Sequence, residues 1–235
     1  VLQALALSYF TAYFFVNLTI TGRYWAFAGL LFIYWFFVFI IPVPEVGRNS
    51  YVLFKNIVYL IDNRLTGSTT RWGYLYPTIT QAAVVIYGSI IGSILASGDR
   101  KRFIRMLAIA GVIGVFAGLA LHPFIPVIKR MFTPSYTLLT CGLSSLLLLG
   151  FYQAIDVWKC RKWSFFFIVF GMNSIFVYLM NGLLSRWLME TGGIFLNYPA
   201  WVVGSWVFPL EHAFRIGVEW VICWWLFTKK IFFKI

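Results

Sequence analysis

Charge is what this sequence has least of. Only 11% of its 235 residues are Asp, Glu, Lys or Arg, and just seven are acidic. A soluble domain carries roughly a quarter charged residues, so a water-facing surface on every side is excluded. Cysteine is scarce as well. Cys141, Cys160 and Cys223 stand far apart and support neither a disulfide framework nor a zinc site. Histidine is limited to His122 and His212. Each sits at the end of an apolar run and reads either as a structural helix-end residue or as a general base, since histidine titrates near neutrality. No His-Glu-x-x-His, Gly-x-Ser-x-Gly, Walker or Rossmann pattern occurs, nor any repeat period or low-complexity tract. The chain therefore holds no self-evident catalytic constellation, and no metal is expected.

What is present in excess is apolar surface, at 61% of residues, with 21% aromatic. A helix needs roughly 20 mostly apolar residues to cross the hydrocarbon. Seven such runs occur, over 2–20, 25–42, 75–97, 104–122, 135–157, 164–185 and 208–228. A segment in lipid must satisfy its own backbone hydrogen bonds, and these runs are too long and too uniformly apolar for barrel strands. The expected fold is all-α, a polytopic transmembrane helix bundle of about seven spans, with 1–235 as a single transmembrane domain. The chain starts at Val1, already inside an apolar run, and reads as the C-terminal portion of a longer protein. No signal peptide is visible, though a missing start would hide one.

The net charge of +12 would suggest nucleic acid in a soluble protein. Here the cations lie between apolar runs, where lipid head groups and topology account for them. One set of alternate loops holds Arg23, Arg100, Lys101, Arg102, Arg105, Lys159, Arg161, Lys162, Lys229, Lys230 and Lys234. The other, much longer set holds Arg48, Lys55, Arg64, Arg71, Lys129, Arg130 and Arg186. The dense set is expected in the cytoplasm. Seven spans then put Val1 outside and the C-terminus inside, most simply in a bacterial inner membrane.

Two outer loops are long. In the first, Phe54, Ile57, Val58, Ile61 and Leu65 share one helical face and predict an amphipathic surface helix. The second, Ser185–Val207, carries Gly192-Gly193, Pro199 and three tryptophans, and reads as an interfacial loop. Its stretch from Ala200 to Phe208 reads alternatively as an extension of the last span, with Pro209 as a kink.

Few residues can carry chemistry. Lys129 and Arg130 lie in a proline-rich outer loop, and read as an anion or pyrophosphate site or as head-group contacts. Asn173 and Ser174 fall mid-span. They read as a cavity lining or as helix–helix hydrogen bonding, because an amide in hydrocarbon needs a partner. Glu211, Arg215 and Glu219 form an i, i+4, i+8 stripe, which suits a proton or substrate path or a self-neutralising interior stripe. Asp156 reads as an interfacial ion pair with Lys159 or Arg161. Asp62 reads as a sugar-hydroxyl contact or a partner of Arg64.

Several segments, in order, resemble the membrane domain of heparan-α-glucosaminide N-acetyltransferase and its bacterial relatives. They are Val1-Leu2-Gln3 with Ser8-Tyr9; Ile61-Asp62 with Leu65 and Gly67; and Ile125-Pro126-Val127 with Lys129 and Ser135-Tyr136. Further on come Ile155-Asp156-Val157, Gly171-Met172-Asn173-Ser174-Ile175 with Val177-Tyr178, and the tail Lys229–Ile235. Ala4, Asn63, Ile128 and Asn181 stand where the family pattern has Arg, Arg, Asn and, in the lysosomal enzyme, His.

The resemblance implies a transmembrane N-acetyltransferase. Acetyl-CoA would enter from the cytoplasm as co-substrate, and an amino sugar would be acetylated on the far side. Arg100, Arg102 and Arg105 would attract the CoA phosphates. Asn173 and Ser174 would line the channel, and Asp62, Lys129, Ser135 and Tyr136 would hold the sugar. The family's catalytic histidine would lie upstream of Val1, so this stretch alone is expected to be inactive. Membrane lipids and the acceptor are the expected partners, a second copy of the chain is a candidate, and nucleic acid is not expected. A membrane carrier for a sugar or other small molecule is the alternative, because polar mid-span residues suit a translocation path equally well.

Overall fold

A run of apolar side chains as wide as a membrane leaves the backbone no partner but itself. The computed structural model is accordingly all-helical; it describes residues 2–43, 47–52, 55–67, 75–197 and 207–233. The helices are α1 (Leu2–Val16), α2 (Ile20–Ile40), α3 (Ile57–Thr66), α4 (Thr78–Ala96), α5 (Arg100–Leu121), α6 (Pro134–Tyr152), α7 (Phe165–Met172), α8 (Ser174–Leu183), α9 (Ser185–Asn197) and α10 (Val207–Thr228). A π-helical turn, Gln153–Val157, continues α6. Among the described residues, four helices are long and apolar enough to cross a membrane: α2, α4, α5, and α6 with its π turn. Counting α7 and α8 as one broken span, bent by 76°, makes five. The other two of the seven expected runs are helical too. However, α1 has only 15 residues, and α10 carries Glu211, Arg215 and Glu219.

The chain forms two compact units, Val1–Tyr152 and Gln153–Ile235. In the first, α1 and α2 each pack on α4, and α5 lies along α6. Ala12, Ile86, Ile90, Ile94, Phe103 and Leu107 make one buried cluster. Tyr34, Val38, Val43, Ile57, Val58, Tyr76 and Met131 make the other. Thr19 caps α2 by accepting from the Gly22 N–H at 3.2 Å, so α2 starts earlier than the apolar run suggests. Arg23, expected in a loop, is thereby inside the first turn. Its guanidinium reaches α4, donating to Ser93 Oγ at 2.8 Å and to the Ser89 carbonyl at 3.3 Å.

The amphipathic helix expected over 54–65 is α3. Asn56 caps it, accepting from the Tyr59 N–H at 2.9 Å, and Gly67 ends it in the left-handed conformation at φ 60°. Ile57 and Val58 are buried while Leu65 is 68% exposed; Phe54 lies outside the described residues.

In the second unit α10 packs on α7 and α9. Residues 185–197, expected as loop, form α9. Gly192, expected within that loop, serves packing instead. A Cβ on Gly192 would stand 2.7 Å from the Phe214 ring on α10, so glycine lets the helices close up. Residues 198–206 lie outside the described residues, and Pro209 sits in the first turn of α10, where its missing N–H costs nothing.

Candidate functional site

The loop between α5 and α6 folds around its own hydroxyls. Thr133 and Ser135, both fully buried, donate to the Pro126 carbonyl at 2.9 and 3.2 Å. Thr133 also accepts from the Ile128 N–H at 3.1 Å. His122 accepts from the Val127 N–H at 3.2 Å and closes the preceding turn. Three prolines and these bonds hold Lys129 and Arg130 outward. Tyr136 is half-buried, edge-on to Phe132 at 5.4 Å. Ser135 is thus committed to the backbone, and of the expected sugar contacts in this loop Lys129 is the exposed one.

Asp62 is buried on α3. Its Oδ1 accepts from the backbone N–H groups of Leu75 and Tyr76 at 3.1 and 3.2 Å, which anchors the entry to α4. Tyr76 in turn donates to the Tyr34 carbonyl at 2.8 Å and packs at a tilt against the Tyr34 ring, centroids 4.7 Å apart. The Tyr34 hydroxyl donates to the Met131 carbonyl at 2.6 Å. One tyrosine pair therefore ties the Asp62 segment to the Lys129 loop. Tyr51 packs on the same cluster, and burial pushes its phenol up to about 12. Tyr34→Phe strands the Met131 carbonyl, and a lost partner for a buried group costs about 1–3 kcal/mol. A lowered melting midpoint with unchanged helicity is the expected result in detergent.

Two cavities open on the first unit. A groove of about 1540 Å3 runs between α1 and α4, with Lys129 and Arg130 at one end. A smaller pocket of about 450 Å3 lies among α2, α4, α5 and α6. Arg102 and Arg105 flank it, Tyr24, Tyr87 and Met106 form its walls, and Cys141 and Gly142 lie deeper. Tyr87 and Ser145 share a 2.7 Å hydrogen bond beside it. Its size falls within the roughly 300–1,000 Å3 of small-molecule sites. From Arg102 to Gly114 it follows α5 for twelve residues, roughly 18 Å at the helical rise. Arg100 lies exposed on the first position of α5, whose cap is Asp99, accepting from the Arg102 N–H at 3.0 Å.

The second unit carries the polar mid-span residues. Asn173 is fully buried at the break between α7 and α8. Its Nδ2 donates to the Ile231 carbonyl at 3.2 Å and its Oδ1 accepts from the Phe233 N–H at 3.1 Å. The amide reads the returning tail as one strand reads another. Ser174 stays exposed. On α10, Arg215 donates to Asn181 Oδ1 at 3.0 Å, and its Nε lies 3.9 Å from Glu219 Oε1, with Glu219 buried. His212 bonds the Phe208 carbonyl at 3.0 Å and packs on that ring, a helix-end role. Sequence reading passes over Tyr34, Tyr76, Tyr87, Ser145 and Cys141. Each is one more apolar or small residue within an apolar run until its partner is known.

These features define a membrane-embedded, all-helical protein. No protein-family model and no curated protein sequence matches the chain.

Proposed function

We propose that the chain is the membrane part of an acyltransferase. It would take an acetyl group from acetyl-CoA at the cytoplasmic ends of α4 and α5 and deliver it to an amino sugar on the far side. The observation that carries this reading is the arginine-flanked pocket. Two fixed cations at the mouth of an apolar cleft of small-molecule size suit the phosphates of CoA, with the thioester arm directed inward. The cleft's depth is more than half of the roughly 30 Å hydrocarbon thickness, so the acyl group can approach the opposite face. The excess of Lys and Arg in one set of loops supports seven spans with a cytoplasmic C-terminus, in a bacterial inner membrane.

In this reaction the acceptor amine attacks the thioester carbonyl, the carbon–sulfur bond breaks, and CoA leaves as the thiol. The ammonium proton passes to a base, and a hydrogen-bond donor holds the developing oxyanion. Asp62 and Ser135 build the far-side loops through backbone bonds, which leaves Lys129 and Tyr136 as the acceptor contacts among them. Asn173, committed to the tail, supports the helix break and does not line the path.

The test is mass-spectrometric. Sealed vesicles would hold the full natural reading frame, with acetyl-CoA on the cytoplasmic side and glucosamine on the other. N-acetylated sugar on the far side is the expected product. Replacing both arginines (Arg102→Gln with Arg105→Gln) should raise KM for acetyl-CoA about tenfold or more, since each charge-assisted contact contributes about 1.5–3 kcal/mol. Unchanged KM would remove CoA from this pocket.

One observation favours the carrier reading: the half-buried Arg215 lies 3.9 Å from the buried Glu219 and bonds the exposed Asn181, a charged locus on an apolar helix. Unmodified sugar crossing the vesicle membrane, independent of acetyl-CoA, is the result that would select it.

A further inference from the structure

We infer that the groove between α1 and α4 is a binding site for one acyl chain of an anionic membrane lipid, whose phosphate head group is held by Lys129 and Arg130. Its walls are apolar, including Leu5, Tyr9, Tyr13 and Val84, with Gly88 on the α4 side. The two tyrosines are each more than 60% exposed, so the groove lies open along the outside of the helix pair. It follows α4 from Pro77 to Ser89, roughly 18 Å at 1.5 Å per residue. That length matches a chain lying along the membrane normal better than a compact solute.

Ser8 donates back to the Ala4 carbonyl at 2.7 Å and lies 3.2 Å from Gln81 Oε1. Ser89 donates back to the Ile86 carbonyl at 2.7 Å. Both hydroxyls are spent on the helices, and apart from Gln81 and the exposed Tyr9 and Tyr13 phenols the walls are mainly apolar. Hydrocarbon asks for nothing more. At the far end the chemistry changes abruptly to two adjacent cations, on a loop stiffened by Pro123, Pro126 and Pro134 and by the Thr133 and Ser135 bonds. A long apolar channel closed by two cations is complementary to a single-phosphate amphiphile. The inference stands apart from acyl transfer: it requires neither CoA nor a catalytic base.

The experiment uses the protein in phosphatidylcholine bilayers with a photoactivatable phosphatidic acid carrying a diazirine on one chain, the labelled residues being mapped by mass spectrometry. Label on α1 and α4 is expected to exceed that from a matched phosphatidylcholine probe roughly tenfold, the ratio two cations near a head group provide. Lys129→Gln with Arg130→Gln should erase that preference while leaving chain labelling in place. Gly88→Leu should block the groove and lower label from both probes. A Cβ at Gly88 meets nothing within 4 Å, so the variant is expected to fold, and its elution profile and helicity check that it has. Equal labelling by the two probes overturns the head-group assignment. Label absent from α1 and α4 shows the groove covered by protein and overturns the site. Loss of label on adding inorganic pyrophosphate shows a soluble phosphate site and overturns the lipid.

Discussion

Gly142→Ala is expected to unfold the α5–α6 pair, and with it most of the first unit. A single added methyl at this position would stand 2.5 Å from the Val115 nitrogen, 2.8 Å from the Gly111 carbonyl oxygen and 2.8 Å from the Gly114 carbonyl carbon. These are backbone atoms, and a helix backbone cannot rotate aside as a side chain can. The same close approach recurs along the seam. A Cβ on Gly114 would meet Gly142 Cα at 2.8 Å, and one on Gly118 would meet the Leu139 nitrogen at 2.7 Å. Gly111 and Gly114 face Gly142, and Gly118 faces the Leu139 backbone, as the small residues that let two membrane helices touch where hydrophobic drive is absent. Overpacking costs about 1–3 kcal/mol in an adjustable core and more where nothing yields. A loss of at least about 3 kcal/mol is therefore expected. Folded yield in detergent and the tryptophan-fluorescence melting midpoint measure it. Gly150→Ala is the control: its Cβ meets nothing within 4 Å, so an unchanged or slightly raised midpoint is expected. Equal behaviour of the two variants would mean that the seam is not tight.

Asn173→Ala is expected to release the C-terminal tail. The tail reaches Asn173 because α10 ends in a Schellman turn: Ile231 N–H bonds the Leu226 carbonyl at 2.9 Å and Lys230 N–H bonds that of Phe227 at 3.1 Å. Lys230 occupies the left-handed position at φ 57°, where glycine is usual, so the turn carries strain that the tail's contacts must offset. Those contacts are the two Asn173 hydrogen bonds and the stacking of Phe233 on Phe176 at 5.3 Å. Deleting the amide removes its bonds to the Ile231 carbonyl and the Phe233 N–H, at about 0.5–1.5 kcal/mol each. A thiol placed by Phe233→Cys should then react with maleimide at least about tenfold faster when Asn173→Ala is added. Asn173→Asp, which keeps the acceptor for the Phe233 N–H but loses the donor to the Ile231 carbonyl, should fall between the parent and the alanine variant. Equal rates in all three would show that the tail is held by something else.

The fate of Asn173 shows how far sequence reasoning reaches. An amide in the middle of an apolar run must have a partner, and that much follows from the cost of burying it. Which partner cannot be read locally, because the tail lies 58 and 60 residues away in the chain. Asp62 behaves the same way: the sequence offers a sugar hydroxyl or Arg64 as its partner, while its bonds to the N–H groups of Leu75 and Tyr76 depend on a loop closing. The glycines at 192 and 193 suit a loop in isolation, and the Phe214 ring makes Gly192 a packing surface within α9.

The sequence by itself determined that this protein is helical and membrane-embedded. Long apolar runs with few charges admit little else when water is absent and the backbone must pair with itself. It also determined where cations gather, because charge is expelled to the ends of such runs. The tertiary structure decided which polar residues remain open to a ligand and which are spent on the fold. Asp62, Ser135 and Asn173 went to the backbone, and Arg102, Arg105 and Lys129 were left beside cavities. The physical reason is that a hydrogen bond's partner is chosen by proximity in space, while a helix is chosen by the solvent around one segment.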